Sequence, residues 1–85
     1  MDDSEFLQAA IFEVINNQIE SLDPPETKAT YVRLLAEGIS EKEVMKHIGS
    51  VVSTEIFGVL AEGRTFNEEA YVKALQALPK LPWDE

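Results

Sequence analysis

Eighty-five residues suffice for one compact domain with a modest core, since a chain this short covers only about 60–65% of the surface it exposes when unfolded. Sixteen acidic residues against seven basic ones give a net charge of −9, which opposes a phosphate backbone or an anionic membrane as the main partner. The chain contains no cysteine, which excludes disulfides and thiolate chemistry, and its 45% hydrophobic content is too rich for disorder.

The periodicity predicts a first helix over about residues 4–22. Ser4 is placed to cap it, and Asp2, Asp3 and Glu5 complement the positive end of its macrodipole. Leu7, Ile11, Val14, Ile15, Ile19 and Leu22 follow helical spacing, and Phe6, Ala10 and Phe12 widen the stripe. A helix apolar on more than one side is either central or shared with another chain. Phe6, Ile11 and Phe12 are therefore the candidate interface of a protein-binding or self-associating module, a homodimer included. Asp2, Asp3, Glu5, Glu13, Glu20 and Asp23 all precede the first basic residue, Lys28, so negative charge flanks the same helix.

Asp23-Pro24-Pro25-Glu26 ends this helix and opens a second over about 25–37, because proline fits a first helical turn and not an interior. Tyr31, Leu34 and Leu35 form its buried side, and Gly38 is a left-handed terminator. Ser40-Glu41-Lys42-Glu43 has the form of a capping box, in which the glutamate reaches back to the serine N–H. The third helix then covers about 41–62, with Val44, Ile48, Val52, Ile56 and Val59 on one side. Gly49, Ser53 and Gly58 leave little bulk, as close packing of a second helix requires. After a turn at Gly63, Asn67 caps a fourth helix over about 67–78, whose inner face is Tyr71, Ala74, Leu75 and Leu78. Pro79 stops it, and Leu81-Pro82-Trp83-Asp84-Glu85 reads as an extended tail. Its lone tryptophan, Trp83, serves either as a lid folded onto the bundle, the preferred reading, or as a partner anchor. The expected architecture is all-α: a single four-helix domain with antiparallel neighbours and short loops.

Chemical constellations are sparse. The segment from Leu34 to Val44 has the outline of a DNA-reading helix-turn-helix, but no Lys, Arg, Asn or Gln occurs between His47 and Arg64 to reach a base edge, and Glu55 reads as outward-facing. His47 follows Glu43 by four residues and shares its helical face, yet one histidine and no cysteine do not complete a zinc site. Nor does Glu43…His47 have the Glu-x-x-His spacing of a di-iron bundle. Ser50 shares a face with His47, but no strained turn presents its hydroxyl, and helical serines bond to their own backbone. Phosphate-cradling glycine motifs are absent. Glu20-Ser21-Leu22 sits at a helix end, not at the helix start where an acyl carrier holds its prosthetic-group serine. No catalytic residue, cofactor or metal is predicted. A secondary reading places a small enzyme or ligand-binding domain around His47 and Glu43, with Tyr31 or Tyr71. A third is an acidic factor that acts on nucleic-acid-binding proteins without touching nucleic acid. The acidic N-terminus differs from a basic secretory leader. The longest unbroken apolar run, Ala9 to Phe12, is far below a membrane span. A cytoplasmic protein with no membrane contact is expected.

Gln18, Asp23-Pro24-Pro25, Tyr31-Val32-Arg33-Leu34-Leu35, Gly38 and the long helix after Ser40 occur in that order. The Gly63 turn and Asn67-Glu68-Glu69-Ala70-Tyr71-Val72 follow, leading to Leu78-Pro79. Over roughly Phe12 to Pro79 this pattern of turns and apolar positions resembles the bacterial family grouped as "domain of unknown function 1841". The resemblance implies a bacterial, cytoplasmic helical domain and carries over no activity.

Overall fold

A computed structural model describes residues 3–81, 83 and 84. Four helices account for the fold: α1 (Asp3–Ser21), α2 (Pro25–Ala36), α3 (Glu41–Glu62) and α4 (Glu68–Ala77). The domain is all-α, and the described residues include no strand. Its radius of gyration is 12.6 Å, the value of a single globule of this length.

Local chemistry sets each boundary. α1 is already helical at Asp3, so Ser4 does not precede it as a cap. The Ser4 side chain and Asp2 lie outside the described residues. α1 stops one residue short of the expected end because Leu22 turns left-handed, with φ 56°. The Asp23 N–H then closes onto the Gln18 carbonyl at 3.2 Å, the outer bond of a Schellman ending. α2 ends the same way, with Gly38 at φ 90° and the Ile39 N–H bonded to the Leu34 carbonyl at 3.2 Å.

Ser40 caps α3, its Oγ accepting from the Glu43 N–H at 3.3 Å. The reciprocal half of the capping box is not formed: the Glu43 carboxylate lies 3.7 Å from Lys46 Nζ instead. Asn67 caps α4 through Oδ1, which accepts from the Ala70 N–H at 3.0 Å. α4 has no basic residue in its own last turn. Arg33 of α2 supplies one, donating to the Leu75 and Gln76 carbonyls at 3.3 and 3.4 Å and meeting the negative end of the helix.

The core is Ile15 of α1, Leu34 of α2, Val44, Ile48, Val51 and Val52 of α3, and Tyr71, Leu75 and Leu78 around α4. Helix α3 contacts all three others, whereas α1 lies along α2 and α3 and meets α4 through the Tyr71 hydroxyl, which donates to Gln18. One flank of α1 is therefore left without a helical neighbour. At Gly49 there is room for a side chain: a Cβ there would meet Ile11 at 3.4 Å and Phe12 at 3.7 Å, ordinary contact distances.

One expectation about the C-terminal end is corrected. The tail is turned and not extended: the Lys80 N–H bonds the Ala77 carbonyl at 3.0 Å, and the Asp84 N–H bonds the Leu81 carbonyl at 2.9 Å. Leu81 packs on the core, and its N–H donates to Asp84 Oδ2 at 2.9 Å. Pro82 and Glu85 lie outside the described residues. By length and composition alone, α3 is also long and apolar enough to cross a membrane, although its unbroken apolar runs are short. Its Gly, Ser and Thr residues interrupt runs while lowering mean hydropathy little. In the bundle, 44% of that stretch is buried.

Candidate interaction surface

The two sides of α3 meet different surroundings. On one side lies Glu55, 7% exposed, where the sequence suggested an outward-facing residue. Its carboxylate takes a two-pronged bond from Arg64, Nη1 to Oε1 at 2.6 Å and Nη2 to Oε2 at 3.2 Å. Oε1 also accepts from the Asn67 N–H at 2.9 Å. A paired, hydrogen-bonded carboxylate favours its charged form. The bond from Arg64 holds Glu55 below its ordinary value of 4.5, against the opposing effect of burial. Gly58 makes this possible, because a Cβ there would collide with the Arg64 guanidinium. Gly58 thus serves an arginine, not the close helix approach expected of it.

A second polar node ties α1, α2 and α4 together. Gln18 Oε1 accepts from the hydroxyls of Thr27 and Tyr71, each at 2.8 Å. Burial raises the Tyr71 phenol above its ordinary value, and the bonds to Thr27 and Gln18 work against that rise. Phe66 from the α3–α4 turn stacks on Tyr71 in a tilted arrangement, with ring centroids 5.5 Å apart. No buried side-chain polar atom among the described residues is left unpartnered, so this side has no free group that seeks a ligand.

The other side of α3 is apolar and uncovered. A groove of about 330 Å³ runs between α1, which contributes Leu7, Ala10, Ile11 and Val14, and α3, which contributes Ser53, Ile56, Phe57 and Leu60. No charged side chain lines it. Leu7 is 59%, Phe57 71% and Leu60 77% exposed, although Ile56 was expected in the core and Phe57 and Leu60 had drawn no notice. Contiguous exposure of large apolar residues on a small domain marks an interaction site.

Of the predicted interface residues, Phe6 is 69% exposed but does not line this groove. Ile11 and Phe12 are half-buried, packed against the core. Ile11 lines this groove, whereas Phe12 lines only the adjoining one. Trp83 lies along the adjoining groove of about 410 Å³, beside Gln8, Ile11, Phe12 and Gly49. It remains 62% exposed, so it borders that groove without closing it.

The polar candidates come together only weakly. His47 Nδ1 lies 2.7 Å from the Glu43 backbone carbonyl, which only accepts, so Nδ1 donates. Lys46, Ser50 and Leu81 complete a recess of about 150 Å³ around them, below the usual size of a ligand pocket. Ser50 donates to the Lys46 carbonyl at 2.9 Å, and Thr54 to the Ser50 carbonyl at 2.8 Å, the backbone bonding expected of helical hydroxyls. Tyr31 sits elsewhere, donating to Glu41 at 2.9 Å, and that bond is the main reason its phenol is raised. Among the described residues no three His, Asp or Glu side chains gather in a metal-binding arrangement.

Compared with known proteins, the chain matches no family model, no curated protein and no solved structure. The reading of its surface accordingly rests on the geometry above.

Proposed function

We propose that this chain is a non-catalytic protein–protein interaction module that binds its partner through the open α1/α3 groove. One observation carries the reading: Phe57 and Leu60 are more than two-thirds exposed beside Leu7, in a groove whose lining has no charge. Leaving such residues in water forgoes about 1.5–3 kcal/mol per side chain that burial would return. A bacterial cytoplasmic setting and kinship with the "domain of unknown function 1841" proteins belong to the same proposal, supported by the turn and apolar pattern quoted above.

Site-specific photo-crosslinking in cells tests it. A photoreactive residue at position 57 is expected to give a discrete protein adduct, lost when Leu60→Ser is added. The same probe at position 73, on exposed Lys73, serves as the control. Equal labelling at 57 and 73 would remove the groove from consideration.

A further inference from the structure

The groove has a shape and a charge environment that narrow its occupant. Its volume of about 330 Å³ takes two or three leucine-sized side chains, given that truncating one leucine opens roughly 150 Å³. That is the anchor set of a single helix laid in a groove through positions i, i+3 or i+4, and i+7.

Charge points the same way. Residues 3–21 and 48–62, which span α1 and the groove-forming part of α3, contain no Lys or Arg. On α1, Glu13 is exposed and follows the groove residue Ala10 by three, on the neighbouring helical row, whereas Glu5 and Glu20, also exposed, project from the side of α1 turned away from the groove. A second copy would bring another such helix and another net −9 to the same seam, and like charges across an interface are costly. A cationic rim on the incoming helix would instead be attracted.

We infer that the α1/α3 groove takes a basic amphipathic helix from a partner protein, a reading that rests on the interaction function proposed above. The apolar face of that helix fills the space over Leu7, Ile56, Phe57 and Leu60, and its Lys or Arg residues flank the groove on the side of Glu13.

Three synthetic 18-residue probes separate the alternatives by calorimetry on the full chain. One has a leucine face at helical spacing with Lys/Arg flanks. A second keeps the face with Glu flanks, and a third keeps the basic composition with the leucines scrambled. The first is expected to bind about tenfold or more tightly than either of the others, and to weaken as salt rises. Phe57→Ser and Leu60→Ser should each weaken it by about tenfold with the helical circular dichroism unchanged, and Glu13→Gln should weaken it less. Equal binding of the Lys/Arg-flanked and Glu-flanked probes would overturn the basic partner while leaving the interaction surface intact. Equal binding of the scrambled probe would reduce the effect to charge alone and overturn the proposal. A concentration-dependent dimer in sedimentation, dispersed by Phe57→Ser, would seat a second copy in the groove and overturn it too. No probe binding by a monomer that also gives no position-57 adduct would overturn the inference and the interaction function together.

Discussion

Gly49 and Gly58 stand on the same helix, nine residues apart, and face two differently built regions. Gly58 lies under the Arg64 guanidinium, on a side where a buried carboxylate, an arginine and a helix cap are all joined. Gly49 lies under Ile11 and Phe12, on a side where the packing of α1 continues into an uncovered apolar groove. The first region is self-sufficient: among the described residues its buried polar side chains are partnered, and removing one member strands another. The second is complete only as far as Ile15 and the half-buried Ile11 and Phe12. Beyond them the same kinds of side chain that make the core are left in water. A domain this small can afford one such surplus face because its stability resides on the opposite one.

Substitutions can break or sharpen that contrast, starting with the largest effect. Tyr71→Ala should cost about 4 kcal/mol, since it empties a 2% exposed ring site and removes a partner of Gln18. Gly58→Ala should destabilise by about 2 kcal/mol despite its better helix propensity, because displacing Arg64 leaves Glu55 buried without its counter-charge. Denaturant titration reads both.

Tyr71→Phe should cost about 1 kcal/mol, the net worth of the bond to Gln18. Gly49→Ala should do the reverse of Gly58→Ala and stabilise by about 0.5 kcal/mol, since its Cβ meets Ile11 at an ordinary contact distance of 3.4 Å. Phe57→Ala should change stability by less than about 0.5 kcal/mol while weakening binding of the Lys/Arg-flanked probe helix. A Phe57→Ala cost approaching that of Tyr71→Ala would erase the distinction between the two sides.

Acidity supplies a further test of the closed side. Glu55 is held below its ordinary value of 4.5, so its folded pKa lies under its unfolded one. The stability this contributes is present above pH 4.5 and is lost as pH falls through the lower, folded pKa. The gap in stability between the natural chain and Glu55→Gln is therefore expected to close as the pH is taken below 4.5. Subtracting the variant matters because fifteen other acids titrate in the same region and relieve self-repulsion as they do. A gap that widens on acidification would mean that burial, and not Arg64, governs Glu55.

The four helices were legible because their signals are local. Pro24-Pro25, Gly38, Ser40, Gly63 and Asn67 each act within one turn of their own position, and the observed bounds fall within a residue of the expected ones. The surplus width of α1 was legible too, as a count of apolar residues too large for one neighbour. What was not legible is which residues of that surplus stay uncovered. Ile11 and Phe12, both expected at the interface, pack beside Gly49, and Ile11 lines the groove as well. Phe57 and Leu60, which do face solvent, sit in a helix whose periodicity is satisfied by the core on its other side.

By itself, then, the chain's order of residues determined an all-α fold, its turns and caps, and the polarised negative charge of α1. Backbone propensity and capping depend only on neighbours a few residues away, so one dimension suffices for them. The tertiary structure alone decided that Glu55 is buried, that Gln18, Thr27 and Tyr71 share one hydrogen-bonded node, and that the open face belongs jointly to α1 and α3. Each of those facts joins residues from 9 to 53 positions apart. Burial is a property of what stands opposite a side chain, and only the packing of the helices supplies that.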